Sequence, residues 1–142
     1  MVLVDTSVWI EVFRKSPRVQ LESQVDFDEI VTCLPVIQEV LQGFTAEPAF
    51  LRARESMLAF PIVEAPLGGD VWLQAVDLYR SGRRLGLTIR SGVDCLIAAC
   101  AIRHQVEVLH CDRDFDSLTR VSALRARNIA PRSLAGKGGT HR

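Results

Sequence analysis

Two short apolar runs near opposite ends of the chain, "VLV" (Val2 to Val4) and "VEVLH" (Val106 to His110), each lead within two residues to an aspartate, Asp5 and Asp112. Asp5 is followed by a segment that can be helical, and Asp112 follows its strand by the same logic. A buried strand that runs out into a carboxylate and then a helix is the unit from which parallel sheets are built, because parallel strands need a helical crossover between them. This repeated unit constrains the fold more than any other feature.

The segments between the two runs continue the alternation. In "TSVWIEVFRK", Val8, Trp9, Val12 and Phe13 recur at helical spacing, with Thr6 or Ser7 available as a cap. "EIVTCL" reads as a second strand, and Pro35 at a first-turn position opens a helix through "VIQEVLQG" that Gly43 stops. "EPAFLRARESMLAF" is a further helix, "PIVEAP" a short strand, and Asp70 a cap for "VWLQAVDLYRSGRRL". A helix beginning near Ser91 carries Val93, Ile97, Ala98, Ala101 and Ile102 as its buried stripe. The final 20 or so residues carry weak signals, and "AGKGGTHR" reads as a mobile tail. With no linker long enough to divide the chain, these elements predict a three-layer α/β/α domain with a mainly parallel central sheet, spanning 1–133, and a flexible tail at 134–142.

No apolar run approaches the ~18 residues of a membrane span, and the start lacks the basic head and cleavage site of a secretory signal. The expectation is a soluble, cytoplasmic protein. Four cysteines, Cys33, Cys95, Cys100 and Cys111, include no CxxC pair and read as reduced core thiols. A zinc set from Cys100, His104, His110 and Cys111 is disfavoured, since His110 and Cys111 are adjacent on a strand and face opposite ways.

The formal net charge is zero, but it is unevenly distributed. Residues 1–70 hold 5 Lys+Arg against 11 Asp+Glu, whereas residues 71–142 hold 12 against 6, and 11 of those 12 basic residues are arginine. Arginine suits planar, bidentate contact with phosphate, so the asymmetry fits a nucleic-acid surface beside an acidic site; a solvated basic face is the plainer reading.

In such a sheet, ligands bind beyond the carboxyl ends of the strands. Asp5 and Asp112 follow strands, Glu39 lies on the helix after the second strand, and Asp94 sits in the first turn of the helix before "VEVLH". Each has a plain structural alternative: Asp5 can cap a helix, Glu39 can be solvated, and Asp94 can complete a capping box with Ser91. Together they occupy matching points of successive units. Clustered carboxylates repel unless a cation neutralises them, and a set without histidine favours magnesium or manganese over zinc. Such ions activate water and stabilise phosphodiester hydrolysis, which points to metal-dependent nucleolysis. Other chemistries fail: as an EF-hand loop, "DRDFDSLTRVSA" has Ser117 where glycine is needed and Ala123 where glutamate belongs, and neither GxxxxGK[ST] nor GxGxxG occurs.

The stretches "VLVDTSVWIEVF", "PVIQEVLQG", "RSGVDCLIAACAIRH" and "VEVLHCDRDFD" together resemble the four successive motifs of the PIN-domain family, in its VapC type of toxin ribonuclease, from Val2 to about Leu118. The resemblance implies a Mg²⁺- or Mn²⁺-dependent endoribonuclease, usually a homodimer, held inactive by a small VapB-like antitoxin. Carried over residue by residue, Asp5, Glu39, Asp94 and Asp112 match the acidic quartet, with Asp114 an additional acid and Ser7 the hydroxyl near the first acid. Metal is assigned to Asp5, Asp94 and either Asp112 or Asp114, the choice between the last two staying open. Arg90 and Arg113 flank the site and are candidates for RNA phosphate. Phe115 is expected to anchor the turn in the core, and Asp116 to cap a helix or face solvent. Two readings compete with the toxin: an RNA-processing nuclease of the same fold without an antitoxin, and a catalytically silent RNA-binding module.

Overall fold

The computed structural model describes residues 1–131. The expected tail at 134–142, and the boundary before it, lie outside the described residues.

The chain opens with β1 (Val2–Val4) and α1 (Thr6–Val12), passes two single-turn 3-10 helices, and continues through β2 (Ile30–Val31), α2 (Leu34–Gln42) and α3 (Glu47–Leu58). Then follow α4 (Gly69–Arg84), α5 (Gly92–His104), β3 (Glu107–His110), α6 (Arg113–Thr119) and β4 (Ala126–Asn128). The four strands form one sheet in the order β2-β1-β3-β4, with every pairing parallel. This is the expected α/β architecture. Its consequence for function lies in β1 and β3: they are neighbours, with Val4 opposite Leu109, so the acids that follow them emerge at one edge.

The core lies between the sheet and the helices. Leu3, Val4, Val108 and Leu109 are fully buried, as near-continuous apolar strands in a parallel sheet must be. The α5 helix departs from the expected stripe. Every residue from Asp94 to Ala101 is buried, while Val93 is 37% exposed and Ile102 half-buried. The small side chains of Ala98, Ala99, Cys100 and Ala101 allow neighbours to approach α5 from all sides, so it runs through the core instead of lying on it.

Close packing also fixes Gly82 on α4. A methyl group there would lie 2.3 Å from the Cδ1 of Ile89, which is itself buried. Gly82→Ala is expected to destabilise the protein by about 1–2 kcal/mol, read as a lower urea midpoint with an unchanged slope. The chain leaves α4 through Gly86, whose φ of +73° favours glycine.

Several expectations need correction. The cap of α1 is Asp5, not Thr6 or Ser7. The cap of α4 is Gly68; Asp70 lies in the first turn, where its Oδ2 accepts from Arg103 Nη2 at 2.7 Å. "PIVEAP" shrinks to one parallel bridge between Thr32 and Ile62, because the prolines at 61 and 66 lack N–H donors and Glu64 turns away at φ +56°. Phe115 is fully buried as expected, but it sits in α6 rather than in a turn; Asp112 caps that helix, and Asp116 faces solvent, the second of its two expected places. The β4 strand had no sequence signal; it is an edge strand with a mostly exposed pattern.

Candidate active site

Asp5 is 1% exposed and extends β1, its N–H donating to Leu109 O at 2.9 Å. Its Oδ2 accepts from the Ser7 N–H at 3.0 Å and from the Ser7 hydroxyl at 2.6 Å. The Ser7 oxygen in turn accepts the Cys111 N–H at 2.9 Å. One hydroxyl therefore ties the end of β1 to the end of β3; Ser7 orients the first acid but does not cap α1, which Asp5 does. The other oxygen of Asp5, Oδ1, is buried with no hydrogen-bond partner. Burial pushes the Asp5 carboxyl above its ordinary range; the Ser7 bonds oppose the shift and nearby Glu39 adds to it.

Glu39, on α2, is half-buried, and its Oε1 accepts from the Thr6 hydroxyl at 2.8 Å. Thr6 is itself buried, so α1 and α2 are joined beside Asp5 by this bond. Sequence reasoning gave Thr6 only a capping role; a hydroxyl beside the first acid offered no signal that it would reach across 33 residues.

Asp94, Asp112 and Asp114 are each 2–3% exposed and bring carboxylate oxygens within 4.8 Å of one another. Among the described residues, this is the group of three acids whose geometry could hold a metal ion. Asp5 and Glu39 stand outside that set but close to each other. The residues of the suggested zinc alternative form no such group: Cys100 is buried and His104 is held by Glu64 at 2.9 Å.

Asp112 and Asp114 carry different structural duties. Asp112 Oδ1 caps α6 by accepting the Asp114 N–H at 3.0 Å. Asp114 Oδ2 accepts two backbone N–H groups, from Arg90 at 3.0 Å and Ser91 at 3.1 Å, while its Oδ1 lies 3.4 Å from Arg90 Nε. Asp114 thus fastens α6 to the segment that enters α5. Arg90 also approaches Asp112 Oδ1 at 3.7 Å. Arg90, one of the two candidates for RNA phosphate, turns its guanidinium toward these two acids with its side chain 22% exposed, and Arg113 is exposed at the start of α6. Arg90, Ser91, Asp112 and Asp114 line a cleft of about 190 Å³.

His110, which the sequence raised only in connection with zinc, lies beneath this cleft. It is fully buried, its Nδ1 accepts the Asp112 N–H at 3.1 Å, and burial lowers its pKa to about 4 against the opposing pull of Asp116. The ring is therefore neutral near pH 7.

A parallel α/β sheet with acids gathered where β1 and β3 end is the arrangement of one nuclease-like class of domain. The sequence matches the PIN domain family over residues 2–121, and the chain belongs to that family. It is 35% identical over 132 residues to the VapC ribonuclease Mb1587 of Mycobacterium bovis and, equally, to ribonuclease VapC11 of Mycobacterium tuberculosis; the alignment covers 89% of this chain and 97% of each relative. Its fold is similar to that of the VapBC2 complex of Rickettsia felis bound to a promoter DNA fragment, with a TM-score of 0.72 at 17% identity over 92% of this chain and 100% of that one. It is also similar to VapBC-5 of Mycobacterium tuberculosis, with a TM-score of 0.67 at 21% identity over 89% and 97%.

Proposed function

We propose that the chain is a Mg²⁺- or Mn²⁺-dependent endoribonuclease and the toxin of a toxin-antitoxin pair. The observation that carries this reading is the packing of Asp94, Asp112 and Asp114 within 4.8 Å; Asp5, at the end of the neighbouring strand, is also buried, with an Oδ1 that has no partner. Buried carboxylates at such separations repel strongly, and an unpaired buried carboxylate oxygen is costly. Hard oxygen donors without a histidine or cysteine among them fit Mg²⁺ or Mn²⁺. Asp5, Asp94 and Asp112 would hold the ion, with Asp114 beside them.

When bound, the ion would neutralise the acids, polarise an attacking water and stabilise charge on the phosphodiester. The protein's own residues set the geometry. Ser7 fixes the Asp5 carboxylate, Thr6 fixes Glu39, and Asp114 braces Arg90 so that its positive charge offsets part of the acidic field. Glu39 completes the acidic quartet. Exposed Arg113, which follows Asp112 at the start of α6, would meet an RNA phosphate, as could Arg90 in the cleft lining.

The toxin assignment rests on the 35% identity to mycobacterial VapC ribonucleases along almost their whole length. It brings with it an RNA substrate, a small VapB-like antitoxin, a homodimer and a cytoplasmic setting. Among the described residues, no helix is long and apolar enough to cross a membrane. Purified protein freed of antitoxin is expected to cut RNA with Mg²⁺ or Mn²⁺, to stop in EDTA, and to recover when Mn²⁺ is returned. Cleavage that persists in EDTA, or that fails with either ion, would refute the metal-dependent reading.

A further inference from the structure

We propose that His110 is a positioning residue that sets the backbone of Asp112 from beneath the site. This rests on the reading of Asp112 as a metal ligand. Because Nδ1 accepts the Asp112 N–H at 3.1 Å, the neutral ring must carry its proton on Nε2. That Nε2 faces Asp116 Oδ1 at 3.5 Å, a contact too long for a made hydrogen bond but of favourable sign. Asp116 Oδ2 in turn accepts from Asn128 Nδ2 at 3.1 Å. The backbone completes the link, since His110 pairs with Asn128 in the sheet and the Ile129 N–H donates to His110 O at 2.9 Å. The ring also packs on Phe115, centroids 5.2 Å apart.

A line of contacts therefore runs from the edge strand β4 through Asp116 and His110 to the residue that starts α6. Its inner bond is an unusual use of histidine. A side-chain acceptor that takes the N–H two residues ahead is the bond of an Asx turn, which asparagine or aspartate normally makes. At position 110 an imidazole makes it instead, and its second nitrogen, with no hydrogen-bond partner of its own, lies 3.5 Å from the Asp116 carboxylate. Groups that orient metal ligands typically alter metal affinity 10–100-fold when removed.

This chemistry supplies its own conservative variant. Asparagine places Oδ1 where Nδ1 now lies and keeps the bond to Asp112; leucine fills similar space without an acceptor. Both variants lose part of the packing on Phe115, so both are expected to have a lower Tm. Mn²⁺ affinity should separate them: His110→Leu binds about tenfold more weakly than wild type, whereas His110→Asn stays within about threefold. A purely structural role would weaken both variants in proportion to their loss of stability.

The measurement is Mn²⁺ titration by electron paramagnetic resonance on the full chain, with thermal unfolding in parallel. Wild-type affinity in His110→Leu, or equal weakening in both variants, would overturn the inference. Should His110→Leu not fold, Asp116→Ala, on an exposed side chain, is read in its place: weaker Mn²⁺ binding supports the relay and wild-type affinity overturns it. The metal-ligand reading fails separately, if wild-type protein and Asp112→Asn give the same Mn²⁺ titration.

Discussion

Asp5→Asn is expected to lower RNA cleavage by at least about 10³-fold and, in the metal-free protein, to raise Tm by about 3 °C. The two effects have opposite signs because they arise from one property. Asp5 is buried with its Oδ1 unpaired and its carboxyl pushed up, first by burial and then by Glu39, so its negative charge is a cost to the metal-free fold. Asparagine keeps an oxygen for the Ser7 N–H and hydroxyl and removes that charge. The cap of α1 is retained, since asparagine caps as well as aspartate. What is lost is the anionic donor that a hard cation requires. Cleavage of a labelled RNA in Mg²⁺, together with thermal unfolding in EDTA, reads both. Wild-type cleavage would remove Asp5 from the site. A lower Tm would show that the charge is compensated within the fold and that no cation is needed to explain it.

A buried acid whose charge costs the metal-free fold stability is what a site built for a ligand rather than for stability would contain. The same logic extends to the group of Asp94, Asp112 and Asp114, although the load is shared there with Arg90. A guanidinium 3.4 Å from one acid and 3.7 Å from another is a partial counter-charge. It lets the acids remain close without collapsing the entry to α5.

Much of this organisation was legible in the sequence because it depends on local signals. An apolar run of three or four residues ending in aspartate identifies both the strand and the acid at its end, so β1, β3, Asp5 and Asp112 could be read together. Pro35 and Gly43 mark the limits of α2 through backbone chemistry alone. What stayed illegible depends on contacts distant in sequence. The turn of Arg90 toward Asp114 could not be read, because nothing in "TIRSG" reveals an acid 24 residues on. β4 has no apolar run, since an edge strand with Arg127 and Asn128 facing outward needs none. His110 looked like an ordinary strand residue; its role appears only when α6 folds back over β3. The burial of α5 on all sides also escaped periodicity, because alanines and cysteines show no stripe when every face is covered.

The choice between Asp112 and Asp114, equal in the sequence, becomes a measurable division of labour. Asp112→Asn is expected to leave stability within about 1 kcal/mol of wild type, because asparagine can still cap α6 through its Oδ1 and the backbone bond to His110 is untouched. Its cleavage should nevertheless fall by about 10³-fold, since a neutral amide replaces a charged donor. Asp114→Ala should show the reverse emphasis. It strips the acceptor from the N–H groups of Arg90 and Ser91 and the partner from the Arg90 guanidinium, a loss of about 2–4 kcal/mol. Urea unfolding without metal separates the two variants cleanly, because no cation then props up either one. If Asp114→Ala proved as stable as Asp112→Asn, the brace between α6 and the start of α5 would have to lie elsewhere. If Asp112→Asn cleaved RNA at the wild-type rate, Asp114 would take over as the ligand, and its bonds to Arg90 and Ser91 would become the means by which a metal-holding carboxylate is itself held in place.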